Sequence, residues 1–122
     1  MTDPQEMYDI VIIGGGVTGL AAAMYAGRMK LKSILIGYPP GGVIATTDWI
    51  ENYPGFISLS GKELADKIMA HAREYDTEII LDNVTRVDRQ NNCFIAHTAF
   101  GQYPTKTILF ATGSQYRKLD VP

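Results

Sequence analysis

The sequence has one cysteine, Cys93. That excludes an internal disulfide and any C-x-x-C redox pair within this chain, and it fits a reducing compartment. Its two histidines, His71 and His97, have no second ligand at metal-binding spacing, so both read as structural and no metal site is expected. Net charge is only −2, which argues against nucleic acid or an anionic membrane as the main partner. A membrane span is missing as well. The uncharged stretch from Ile10 to Ala26 falls short of the roughly 20 apolar residues required, and three adjacent glycines break it. Asp3, Glu6 and Asp9 stand where a signal peptide would be basic. These absences predict a cytoplasmic protein with no membrane and no nucleic-acid partner. Internal repeats and low-complexity segments are also lacking.

What the sequence does have is one strong punctuation mark. Tyr8 to Gly27 reads YDIVIIGGGVTGLAAAMYAG. A short apolar run, Ile10 to Ile13, meets three glycines and then an alanine-rich stretch of helical character. Gly14, Gly16 and Gly19 give the spacing G-x-G-x-x-G. Between a strand and a helix, that spacing cradles a dinucleotide pyrophosphate. Gly14 serves the tight turn, Gly16 the approach of backbone to phosphate, and Gly19 the close packing of helix on strand. Val17 and Thr18 open the helix, whose N-terminus offers N–H groups and partial positive charge to an anion.

With 122 residues, 46% hydrophobic and 20% charged, the chain is sized for one globular domain. Residues 1–7 read as a polar leader. The pattern predicts a strand over Tyr8–Ile13, a helix over Val17–Met29 with Leu20, Met24 and Leu31 on one stripe, and a strand over Ser33–Ile36. Together these make a βαβ unit. Gly37 to Gly55 holds four glycines and three prolines. It reads as a long loop with one short helical turn, of a length that is usually functional. Ser60 with Glu63 forms a capping box, and Leu64, Ile68, Ala72 and Tyr75 repeat at helical spacing, which predicts a helix over Gly61–Tyr75. Its charged residues read as a solvated face with pairs such as Glu63–Lys67. Strands follow over Thr77–Leu81, Asn83–Asp88, Asn92–His97, Gly101–Thr105 and Thr107–Phe110, with Gln90-Asn91 as a hairpin turn. The parallel set is Tyr8–Ile13, Ser33–Ile36, Thr77–Leu81 and Thr107–Phe110, and the remaining strands form a small β-meander.

A dinucleotide fold ordinarily carries an acid about 20 residues past the glycines, where it holds the adenosine ribose. Here the strand runs into Gly37-Tyr38-Pro39-Pro40, and the next acid is Asp48. Backbone groups of Gly37 or Tyr38 are the expected substitute. Asp48 and Glu51 read as hydrogen-bonding residues that shape the loop. Trp49, Tyr53 and Phe56 read as anchors of that loop on the core. Cys93 reads as a small strand residue rather than a redox centre.

Three stretches, GGGVTGLAAAMYAGR, then GGVIATTDWIENYPGF, then ATGS followed by YRKLDVP, together resemble the N-terminal part of the low-molecular-weight, bacterial/archaeal type of thioredoxin reductase. The resemblance covers nearly the whole chain, from Tyr8 to Pro122. It implies an α/β fold: a three-layer Rossmann-like FAD/NAD(P)-binding domain with a small β-meander, incomplete, over residues 8–115. Residues 116–122 would start an inter-domain linker. FAD is the implied cofactor. The flavin contacts carried over are Gly42, Thr47 and Asn52; Thr112 and Gly113 would sit near the cofactor at the end of a parallel strand, and Val84 beside the adenine. The full enzyme would pass a hydride from NADPH to FAD and electrons onward to the disulfide of a thioredoxin-like protein, as a homodimer.

The sequence departs from that family at two places. The usual Gln after the paired glycines is Val43, so a side-chain amide that would reach the flavin is missing. The NADPH-binding domain and its C-x-x-C would lie past Pro122. The chain is therefore expected to be a fragment with no catalytic residue, not competent for turnover and, once purified, retaining FAD weakly or not at all. The glutathione-reductase-like branch is excluded, because no cysteine occurs between Met1 and Asn92. Two alternatives stay open: a two-domain flavoprotein reductase lacking a dithiol, ferredoxin- or NAD(P)H-linked, and a non-enzymatic nucleotide-binding module.

Overall fold

The structure is a computed structural model that describes residues 7–114. The expected leader, Met7 apart, and the expected linker lie outside the described residues.

The apolar run of β1 (Tyr8–Ile13) makes it a central strand, with Val11 and Ile12 completely buried. It pairs in parallel with β2 (Ser33–Ile36) on one side and with β6 (Gln102–Phe110) on the other. β2 pairs in parallel with β3 (Glu78–Ile80). β4 (Arg86–Gln90) and β5 (Cys93–His97) follow antiparallel, giving one six-stranded sheet in the order β3-β2-β1-β6-β5-β4. This is the expected α/β architecture, with β3, β2, β1 and β6 as its parallel part.

Two helices, α1 (Val17–Arg28) and α2 (Gly61–Arg73), cover one face. Leu20 and Ala23 of α1 and Ala72 of α2 bury Ile12 and Leu35 there. On the other face, Val11, Ile13, Ile34 and Ile36 cluster with Ala96 of β5 and Val87 of β4. β4 and β5 stand far from β2 in the sheet order, so the meander folds over this face and forms the third layer. A third cluster, Ile50, Leu59 and Leu64, holds the long loop against α2.

Several local expectations need correction. Gly101–Thr105 and Thr107–Phe110 are one continuous strand, β6, whose first half pairs with β5 and whose second half pairs with β1. The polar Thr-Lys-Thr interrupts the apolar pattern there. Thr105 is nonetheless fully buried, because its hydroxyl is satisfied by the carbonyls of Thr107 (2.8 Å) and Tyr8 (3.2 Å). The hairpin turn is Asn91-Asn92, one residue later than expected. Gln90 pairs with Cys93, and Asn91 takes the left-handed conformation (φ 52°) that asparagine tolerates.

Leu31 falls off the α1 stripe and is 39% exposed, since Lys30 turns the chain at φ 59° just after the helix ends. Tyr75 lies past the end of α2. Ser60 does cap α2, accepting the Glu63 N–H at 3.1 Å. Among the described residues the ion pair on its solvated face is Lys62–Asp66 (2.7 Å), not Glu63–Lys67. Trp49, Tyr53 and Phe56 are each more than a third exposed, so Ile50 and Leu59 anchor the loop in their place. Trp49 donates from Nε1 to Glu51 (2.7 Å), which gives Glu51 its part in shaping the loop. Cys93 sits in β5 and its thiol donates to the Gln90 carbonyl.

Candidate functional site

The carboxyl ends of β1, β2, β3 and β6 open on one cleft of about 590 Å³. Open parallel sheets bind ligands at such a place, where the chain leaves a strand toward one neighbour and later returns on its other side. β1 is that strand here, with β2 on one flank and β6 on the other.

The floor is built from close approaches. Gly14 has φ +129°, and a Cβ on it would overlap the carbonyl of Ala111, so only glycine lets β1 turn while touching the end of β6. A Cβ on Gly19 would overlap the Gly14 carbonyl, which is how α1 seats directly on the turn. Gly16 is different. Its φ is an ordinary −82°, and a Cβ there would meet Gly42 Cα at 3.8 Å and the Gly41 carbonyl at 4.0 Å, which are normal contacts. The fold does not ask for glycine at position 16, whereas a ligand pressed against the backbone does.

α1 starts at this floor. Gly16 is its N-cap, no side chain caps it, and its first turn holds no acid. Among the described residues no capping side chain and no first-turn acid therefore competes with an anion for the positive end of the helix.

The loop after β2 forms the facing wall. Gly41, at φ +83°, donates its N–H to the Gly15 carbonyl (2.8 Å), and a Cβ on it would come within 2.6 Å of Ala65 Cβ. The paired glycines thus lay this loop against both the glycine turn and α2. A short 3-10 helix, Gly42–Thr46, then sets Val43, Ile44 and Thr46 along the cleft.

Nine expected contacts line this cleft: Gly14, Gly16, Val17, Thr18, Gly37, Gly42, Val84, Thr112 and Gly113. Gly19 lies behind the turn as a packing residue. Thr47 and Asn52 lie off the lining. Thr47 ties the loop down instead, donating its N–H to the Ile44 carbonyl and accepting the Gly61 N–H. The Gly37 N–H, an expected ribose donor, is spent on the Ile80 carbonyl (3.2 Å), where it joins β2 to β3. Asp82 and Asn83 also line the cleft and were not singled out from the sequence. Both lie within three residues of the carboxyl end of β3.

The arrangement suits binding. Its walls are apolar at Val17, Val43, Ile44 and Val84, its floor is bare backbone, and a helix end points at it. A pyrophosphate flanked by flat rings fits such a cradle. Among the described residues no three His, Cys, Asp or Glu side chains gather as a metal site, and no helix is long and apolar enough to cross a membrane. Tyr8 and Asp9 stand at the opposite end of β1. Burial, aided by the hydrogen bond its hydroxyl donates to Glu78, raises Tyr8, and the Lys32 N–H lowers Asp9. On the meander, Asp88 accepts both His97 (2.8 Å) and Arg86 (3.1 Å), so His97 has a structural partner.

Residues 8–122 match the family model described as pyridine nucleotide-disulphide oxidoreductase. The chain is 34% identical over 119 residues to the thioredoxin reductase of Bacillus subtilis (strain 168), a match covering 97% of this chain and 38% of that protein. It is 38% identical over 115 residues to the thioredoxin reductase of Escherichia coli O157:H7, covering 93% of this chain and 36% of the relative. Its fold superposes on the crystal structure of Lactococcus lactis thioredoxin reductase (FR conformation) with a TM-score of 0.90 at 37% identity, over 94% of this chain and 38% of that one. The chain thus spans under two fifths of the length of these relatives.

Proposed function

The chain belongs to the pyridine nucleotide-disulphide oxidoreductase family, and we propose that it forms the FAD-binding portion of a thioredoxin-reductase-like flavoprotein. FAD, once bound, supplies the hydride and electron chemistry, and the protein supplies binding and orientation. The turn from Gly14 to Gly19, with Val17 and Thr18 at the helix start, receives the pyrophosphate. Gly37 and Val84 border the adenosine. Gly42, Thr112 and Gly113 border the flavin, and Thr47 and Asn52 are proposed as flavin contacts on the continuation of the same loop. Val43 presents an apolar side chain where the family's Gln would offer an amide, so the ring is held there by contact rather than by a hydrogen bond.

The proposal extends to the whole protein. Its reaction runs from NADPH through FAD to the disulfide of a thioredoxin-like protein, in a cytoplasmic homodimer. The names of the relatives and the resemblance of all three motifs support this. Residues 1–122 hold no dithiol, so turnover is assigned to the longer assembly and cofactor binding to this portion.

The observation that carries the reading is Gly16, a bare backbone at the floor of the cleft that the fold itself does not require. The test is a titration of the purified chain with FAD and, separately, with FMN. FAD is expected to bind saturably and at least about tenfold tighter than FMN, because only FAD brings a pyrophosphate to the helix end. Equal affinity for the two, or no saturable FAD binding, would contradict the proposal.

A further inference from the structure

The chain has no carboxylate where a dinucleotide fold usually holds the ribose, and the structure shows that much of the backbone there is already engaged. From Gly37 to Gly42, two residues are prolines without an N–H. The N–H groups of Gly37, Gly41 and Gly42 are engaged by the carbonyls of Ile80, Gly15 and Pro39. A ribose also needs acceptors for its hydroxyl protons, and a carboxylate is a stronger one than a backbone carbonyl. Asp48, the next acid in sequence, is exposed and off the cleft.

One strand over, the situation differs. β3 runs parallel to β2 with Ile36 beside Ile80. Two residues past the end of each strand come Tyr38 and Asp82, and both line the cleft. Asp82 therefore follows the strand next to the one whose end usually carries the acid, and it opens on the same cleft. It is the one carboxylate among the described residues lining the cleft. Its Oδ1 accepts the Asn83 N–H at 2.7 Å, which fixes the carboxylate while leaving Oδ2 as an acceptor. Among the described residues no cation pairs with it.

We infer that Asp82 is the ribose-holding acid of this site, moved from the end of β2 to the end of β3, and that it selects an adenosine with free 2′ and 3′ hydroxyls. This rests on the dinucleotide reading above. A carboxylate at this point accepts hydrogen bonds from the vicinal diol and repels a 2′-phosphate, so the site takes ADP-type nucleotides and disfavours their 2′-phosphorylated forms.

The test is calorimetric titration of the full chain, as wild type and as Asp82→Ala, with ADP, 2′,3′-dideoxy-ADP and 2′-phospho-ADP. Wild type is expected to bind ADP about tenfold or more tighter than either analogue, the size of a hydrogen bond to a charged group. Asp82→Ala is expected to lose that preference and to bind dideoxy-ADP as wild type does, which also shows that the variant folds. If wild type and variant bind ADP equally, the inference is overturned and the dinucleotide reading stands. If the variant loses dideoxy-ADP as well, Asp82 shapes the loop and does not hold the ribose. If wild type binds neither ADP nor FAD, the dinucleotide reading itself fails.

Discussion

The carbonyl oxygen of Ala111 occupies the space that a side chain on Gly14 would need. One residue earlier, the Ala111 N–H donates to the Ile13 carbonyl at 2.8 Å, so β1 and β6 stay in register to their last atoms and part only at the cleft. Gly14→Ala would place a Cβ at φ +129° and drive the two strand ends apart. The expected cost is about 3 kcal/mol, from backbone strain plus the clash. A urea titration checks it: the midpoint falls and the slope stays unchanged.

Thr105 stands where β6 changes partners, pairing with Phe94 of β5 on one side and Tyr8 of β1 on the other. Its buried hydroxyl serves the carbonyls of Thr107 and Tyr8. Thr105→Val keeps the shape and removes the donor. A loss of about 1–2 kcal/mol is expected in chemical denaturation, whereas Thr105→Ser should recover part of it.

Asp9 gives the acid limb of stability a specific contributor. Its carboxylate accepts the Lys32 backbone N–H (2.8 Å), the larger cause, and the Lys106 ammonium (3.2 Å), and together they hold it below its ordinary value of 3.8. A carboxyl group whose folded-state value is depressed contributes stability above its unfolded value and loses it as pH falls through the folded one. Asp9→Asn should therefore be less stable than wild type near pH 6, and the two should converge as pH drops below about 3.8. Parallel denaturation curves between pH 6 and 2.5 are the check. Equal stability at pH 6 would remove Asp9 from the account.

Leu64 is the point where α2 grips the long loop, packing on Ile50 and Leu59. Those two residues exchange backbone hydrogen bonds of 2.8 and 3.0 Å. Leu64→Ala should cost about 3 kcal/mol through the cavity it leaves. It should also speed amide exchange at Ile50 and Leu59 more than at Val11 and Ile12 of β1.

Most of the frame was legible in the sequence because it rests on local chemistry. The apolar run ending in Gly14 to Gly16, the small residues of α1 and the Ser60 cap each declare themselves within a few residues. What was not legible depends on contacts between distant segments. Thr105 looks like a break until the carbonyls of Tyr8 and Thr107 satisfy it. Trp49 and Phe56 look like anchors because they are large, yet Ile50 and Leu59 hold the loop, since their alignment with Leu64 is a tertiary fact. In the same way, Thr46 joins the lining of the cleft because the 3-10 turn sets which residues face it. Asp82 was hidden because a fingerprint read along β1 and β2 does not look one strand further.

Gly16→Ala tests the central claim most directly, since the added methyl meets only ordinary contacts within the fold but stands at the floor of the cleft. Its stability should stay within about 1 kcal/mol of wild type, the scale of an N-cap change. Its affinity for FAD should fall by at least about tenfold, since the pyrophosphate must touch the backbone at that residue. A variant that is equally stable and binds FAD as well as wild type would show that the cleft does not hold the cofactor at this turn.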